Sequence, residues 1–223
     1  MKKTKTRTIV RCALIASLYT AVSLVLAPIA FGAVQARVSE AFTLLPVLVP
    51  DAVVGVTLGC FLTNLVGVFT GANVLGALDI VFGTAATLTA ALCTRRLARV
   101  RLRGLPVAAA VPPVLINAVV VGAELAWAFG PRTFAGFLLQ AGGVALGQLF
   151  SCFALGLPLA ARMALRQKQE KPCGLADFVK ICLSWGIGYA GMWSGKWLMA
   201  ALLTGQNVFA EAGSAMGNRL GAV

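Results

Sequence analysis

The chain alternates long apolar stretches with short polar or basic breaks. Apolar sequence from Ile9 to Ala27 is long enough, as helix, to cross a hydrocarbon core of about 30 Å. Pro28, Gly32 and the polar residues to Ser39 interrupt it, and the next apolar run, Val38 to Val49, is short and holds Pro46. That length fits a broken or protein-enclosed helix better than one facing lipid. Pro50 and Asp51 mark a turn, with Asp51 placed to cap the following helix. Further helices are expected over Ala52–Phe69, from near Leu75 to Thr94, from about Val107 to Phe129, and over Thr133–Ala161. The pattern predicts an all-α integral membrane protein, a six-transmembrane-helix bundle in residues 1–165. Residues 166–223 form a C-terminal extension with one more hydrophobic segment, Ile181 to Leu203, interrupted by Lys196. That segment is read as a seventh transmembrane helix, a surface or re-entrant helix, or a loosely integrated tail.

Composition agrees with the pattern. Of 223 residues, 59% are hydrophobic and 12% charged, and the mean hydropathy is +0.89. A net charge of +12 raises nucleic acid as a partner, but the basic residues fall in clusters between apolar runs rather than along one continuous face. Lys2, Lys3, Lys5, Arg7 and Arg11 precede the first span; Arg95, Arg96, Arg99, Arg101 and Arg103 follow the fourth; Arg162, Arg166, Lys168 and Lys171 follow the sixth. The opposite turns hold only Arg37 and Arg132. By the positive-inside rule the N-terminus is cytoplasmic, in a multi-pass protein of the cell membrane. The first apolar stretch is too long for a signal peptide and is read as a retained span.

The chemistry rests on scarce polar residues. With seven acidic residues in the chain, each one inside an apolar stretch requires a purpose, because an unpaired charge in lipid is costly. Gln35, Arg37 and Glu40 stand between the first two apolar runs, Asn64 lies in the third, and Asp79 begins the fourth. Asn117 and Glu124 share a face of the fifth, two turns apart, and Gln140 and Gln148 lie on the sixth. Applied to depth, the topology collects most of these groups in the outer half of the bundle. Carboxylates and amides there, with Phe31, Phe42 and Phe69 as flat surfaces, fit a small, planar, nitrogen-rich solute, cationic or neutral. Bridging of helices by the same amides is the structural alternative. Ala13, Ser17 and Ala21, at four-residue spacing on the first helix, allow either docking of another helix or close packing inside the bundle. Histidine is absent, the cysteines show no paired spacing, and there is no Gly-rich phosphate loop followed by Lys-Ser/Thr. These features leave no catalytic constellation, no metal site and no cofactor, and any ATP hydrolysis falls to separate subunits.

Three elements together carry a family resemblance: PIAFGAVQARVSEAFTLLPVLVPDAVVGVTLGCFLTNL, then GALDIVFGTAATLTAAL, then PPVLINAVVVGAE. Across about residues 9 to 163 the chain resembles the QueT family, the substrate-binding subunits (S components) of energy-coupling factor transporters associated with uptake of queuosine precursors. The resemblance implies a six-helix subunit whose long first loop covers a pocket open to the outside. It implies a complex with a transmembrane coupling protein and two cytoplasmic ATPases, docked through the Ala13, Ser17 and Ala21 face. The implied ligand is a 7-deazaguanine such as 7-aminomethyl-7-deazaguanine. One carboxylate would accept the paired N–H donors of its guanine edge and a second would meet the aminomethyl cation, with Glu40 and Asp79 ahead of Glu124 as candidates. Where this chain has Gln148, the resemblance implies a Glu. Two other readings stay open: a self-contained secondary transporter, marked by transport without partners, and a non-transporting assembly protein, marked by carboxylate substitutions that damage folding alone.

Overall fold

The computed structural model describes residues 2–31, 37–102, 105–130 and 132–168, mostly as helices and turns, with one isolated antiparallel bridge between Leu102 and Leu105. Helix α1 (Lys2–Val25) turns Cys12, Ile15, Ala16, Tyr19 and Ser23 inward, the three- and four-residue spacing of one helical face. The short α2 (Ala27–Ala30) leads to a 3-10 helix over Val38–Val47, then α3 (Ala52–Phe69) and α4 (Ala77–Arg96) follow. Between α3 and α4, Gly71 and Gly76 adopt positive φ angles of 69° and 64°, where a side chain would be strained. A 3-10 turn, Val107–Ala110, enters α5 (Val111–Ala128), whose first turn tolerates Pro112 and Pro113 because N–H groups there need no helical partner. The Thr133 hydroxyl accepts a bond from Gly136 N at 3.2 Å and caps α6 (Phe134–Leu149). A π-helical turn, Phe150–Gly156, joins α6 to α7 (Leu157–Lys168). Pro158 has no N–H to offer the preceding turn, so an ordinary α register cannot run unbroken through this point.

Successive long helices pack as neighbours: α1 on α3, α3 on α4, α4 on α5 and α5 on α6. Glycines set the closest approaches. A Cβ at Gly59 would lie 2.6 Å from Tyr19 Cβ, and one at Gly122 would lie 2.6 Å from Ala141 Cα. The outward faces carry Leu58, Phe61, Val81, Phe82, Leu139 and Leu146, an apolar exterior suited to lipid. Among the described residues five segments are long and apolar enough to cross a membrane: Thr6–Val25, Ala52–Phe69, Ala77–Arg99, Val107–Ala128 and Phe134–Leu165. The protein is thus a multi-pass, all-α membrane bundle.

The second expected span takes a different form. Val38–Val47 is a ten-residue 3-10 helix, roughly 20 Å long at about 2.0 Å per residue, short of a hydrocarbon core of about 30 Å. It lies inside the bundle against α1, α3, α4 and the π turn, with Ser39 through Pro46 buried. Leu44 joins Ala110, Val114, Cys152, Leu157 and Ala160 in one apolar cluster beneath it. Asp51 stands at the start of α3 without capping it by its side chain. Its carboxylate instead accepts the Thr8 hydroxyl at 3.0 Å, and its carbonyl accepts Cys12 Sγ at 3.2 Å, tying the return of the chain to the beginning of α1. The Ile181–Leu203 segment lies outside the described residues.

Candidate functional site

The polar residues of the interior meet around the buried 3-10 helix. Its first turn carries Glu40, 1% exposed, whose Oε1 accepts the Tyr19 hydroxyl at 2.6 Å and Thr87 Oγ1 at 3.3 Å. The Glu40 carbonyl accepts Thr43 Oγ1 at 2.6 Å and Cys152 Sγ at 3.8 Å, and Ser23 donates to Ser39 at 2.6 Å. Two helices, α1 and α4, therefore hold this one carboxylate, while Thr43 and Cys152 hold its backbone. Its second oxygen, Oε2, has no hydrogen-bond partner.

A second layer centres on Asp79, in the first turn of α4. Its Oδ2 accepts Arg37 Nη2 in a fully buried ion pair and Asn73 Nδ2 at 3.0 Å, while its carbonyl accepts Asn64 Nδ2 at 2.7 Å. The Arg37 guanidinium carbon sits 5.4 Å from the centre of the Phe31 ring, so the cation is covered by an aromatic face. Gly83 makes the arrangement possible, since a Cβ there would fall 2.0 Å from Asp79 Oδ1. Cys60 joins the two layers, its sulfur accepting Thr87 Oγ1 at 3.3 Å and Asn64 Nδ2 at 3.7 Å.

From α5, the Asn117 amide is close enough to the Glu40 carboxylate to act on it as a hydrogen-bond donor, although Nδ2 makes no bond of full geometry. Glu124, 8% exposed, lies within electrostatic reach of Asp79 and Arg37, and neither of its oxygens has a partner. Arg37 Nε, Asn64 Oδ1 and Asp79 Oδ1 are also buried without partners. A buried polar atom left unbonded costs about 1–3 kcal/mol, and native proteins keep few of them. Their concentration around one cluster suits the recognition of a polar ligand.

The structure thus brings Arg37, Glu40, Asn64, Asp79, Asn117 and Glu124 together in the interior. Gln148 is buried and its Oε1 accepts Cys152 Sγ at 3.8 Å, which places it beside the 3-10 helix rather than against Asp79. Gln140 is only partly buried and takes no part in these bonds among the described residues, and Gln35 lies outside them. Phe31 and Phe42 are buried, but Phe69 is 82% exposed at the end of α3 and cannot supply a stacking surface to the interior. Tyr19, Cys60, Asn73 and Thr87 belong to the network and escape a reading by composition. Tyr19 carries the one available signal, a tyrosine in the middle of a span rather than at the interface where tyrosines collect. Ala13, Ser17 and Ala21 all face outward on α1, opposite the buried Tyr19 face. Cys12, Cys60, Cys93 and Cys152 are free thiols, and among the described residues no group of three or more potential ligands could hold a metal ion.

Neither a search of curated proteins nor a search of solved structures returns a match. The sequence profile described as "QueT transporter" matches residues 9–164, from α1 to α7 and across every residue of the cluster. With well over half of the chain inside that match, the protein belongs to the QueT transporter family.

Proposed function

We propose that the chain is the substrate-specificity subunit of an energy-coupling factor importer, capturing a queuosine precursor, a 7-deazaguanine such as 7-aminomethyl-7-deazaguanine, from outside the cell. Membership of a transporter family sets it apart from enzymes, and ATP hydrolysis falls to two cytoplasmic ATPase partners working through a transmembrane coupling protein. The observation that carries the reading is the buried cluster itself: carboxylates and amides on four elements, with acceptor atoms still open, inside an otherwise apolar bundle. A planar heterocycle rich in N–H donors matches open acceptors, whereas phosphates and carboxylic acids would meet repulsion from Glu40 and Glu124.

The topology keeps the N-terminus in the cytoplasm, with the five long helices and the enclosed 3-10 helix forming the binding domain, residues 1–165, ahead of the extension 166–223. The outward Ala13, Ser17 and Ala21 face is the docking surface for the coupling protein, because small side chains allow a partner helix to approach closely. Calorimetry on the purified chain in nanodiscs tests the reading, with 7-aminomethyl-7-deazaguanine, the 7-cyano analogue, queuine and guanine as titrants. Saturable binding of a deazaguanine supports it, and a folded sample that binds none of them overturns it. Transport in vesicles containing this chain alone would identify a secondary transporter instead.

A further inference from the structure

Three buried carboxylates face the cluster, and the structure leaves them in different states. Asp79 is the most committed: Oδ2 is taken by Arg37 and Asn73, its backbone carbonyl by Asn64, and Oδ1 lies against the Gly83 surface. Its negative charge is already matched by a cation of the same chain. Glu40 is half committed, with Oε1 held by Tyr19 and Thr87 and Oε2 open. Glu124 is uncommitted, since both of its oxygens are buried and open. Asn117, two turns before Glu124 on the same face of α5, turns its amide toward Glu40, with Nδ2 in no hydrogen bond of full geometry.

Acceptor geometry then divides the work. Two adjacent N–H donors on the edge of a heterocycle need two oxygens of one carboxylate, and a single ammonium or N–H needs one. We propose that Glu124 reads the paired N–H edge of the ligand, that Glu40 reads a separate single donor or cation through Oε2, and that Asp79 is a positioning residue that holds Arg37. This division rests on the binding function proposed above, and it reverses the order of candidates expected from sequence, where Asp79 stands ahead of Glu124. It also makes the site sensitive to ligand charge, because Glu40 and Glu124 form no ion pair among the described residues, and the nearby Arg37 is already paired with Asp79.

Calorimetry with three probes separates the roles. These are 7-aminomethyl-7-deazaguanine, its 2-desamino counterpart 7-aminomethyl-7-deazahypoxanthine, which lacks one donor of the pair, and 7-methyl-7-deazaguanine, which lacks the ammonium. The wild-type chain is expected to prefer the first probe over each of the others by about 10- to 100-fold, the range for losing a hydrogen bond to a charged group. Glu124→Gln should reduce the 2-amino preference to below about threefold while keeping the ammonium preference, and Glu40→Gln should do the reverse. Asp79→Asn should weaken all three probes by a similar factor and leave both ratios intact. Each comparison is a ratio of affinities within one variant, so it is independent of the fraction of folded sample. Wild-type preferences with an unchanged 2-amino ratio in Glu124→Gln, or a ratio that collapses only in Asp79→Asn, would overturn the division while leaving the binding function standing. A wild-type chain that binds none of the probes would overturn both.

Discussion

Gly83 decides whether the Asp79 layer can exist. A methyl group there would overlap Asp79 Oδ1, and the carboxylate would have to swing away from Arg37 and Asn73. Gly83→Ala is expected to lower stability by about 1–3 kcal/mol, the usual cost of overpacking a close-packed site, and to weaken ligand binding with it. Thermal unfolding in detergent, followed beside calorimetry, checks both effects. Tyr19→Phe removes a single donor from Glu40 Oε1 and leaves the ring in place. Loss of a hydrogen bond to a charged acceptor should cost about 1.5–3 kcal/mol of stability, with the helix content by circular dichroism unchanged. A stability equal to wild type would show that the phenol contributes packing alone.

Burial cost made part of this site readable in advance. Arg37, Glu40, Asn64, Asp79, Asn117 and Glu124 are expensive inside apolar sequence, so their positions alone indicated an interior purpose, and the structure places them together. Pairing was not readable, because Arg37 had acids available at Glu40 and Asp79 and the choice depends on how α4 meets the first loop. Cys60, Thr87 and Asn73 were silent for another reason. Small thiols and hydroxyls are ordinary in membrane helices, and an asparagine beside glycines looks like a turn residue until its amide is found on a carboxylate.

At the level of elements, Pro46 and the shortness of its apolar run signalled an enclosed segment, and the structure supplies what the pattern could not, a 3-10 helix wrapped by three longer helices and a π turn. Periodicity distinguishes poorly between 3.0 and 3.6 residues per turn over ten residues, and burial on every side removes the polar face that would mark the register. The interface of α5 with α6 depends on backbone proximity at Gly122, where an added Cβ would meet Ala141 backbone atoms rather than a flexible side chain. Gly122→Ala should therefore separate the two helices and destabilise the bundle by about 1–3 kcal/mol. Because Asn117 and Glu124 ride on α5, ligand affinity should fall with it, as measured by calorimetry on the same preparation.

For the whole molecule, the exposed stripe on α1 and the buried stripe opposite it make separable predictions. Ser17→Trp enlarges a side chain that faces outward. It should leave ligand binding by the solitary chain unchanged while, if the proposed complex forms through this face, sharply reducing its recovery when the proposed coupling protein and ATPases are coexpressed, a result read from affinity purification. Equal recovery would remove this face as the docking surface.

The Arg37–Asp79 pair also bears on how the protein is made. Its two members stand 42 residues apart, and the whole of the enclosed helix and α3 lies between them. A nascent chain that has delivered α1 and the first loop holds a guanidinium whose counter-ion has not yet been synthesised, and an unpaired cation does not enter hydrocarbon cheaply. Individual helices can insert before they associate, so the loop carrying Arg37 stays in water until α4 arrives with Asp79. The Arg37–Asp79 layer is consequently a late product of biogenesis, completed by helix assembly rather than by insertion, and a chain cut before residue 77 has no means of closing it.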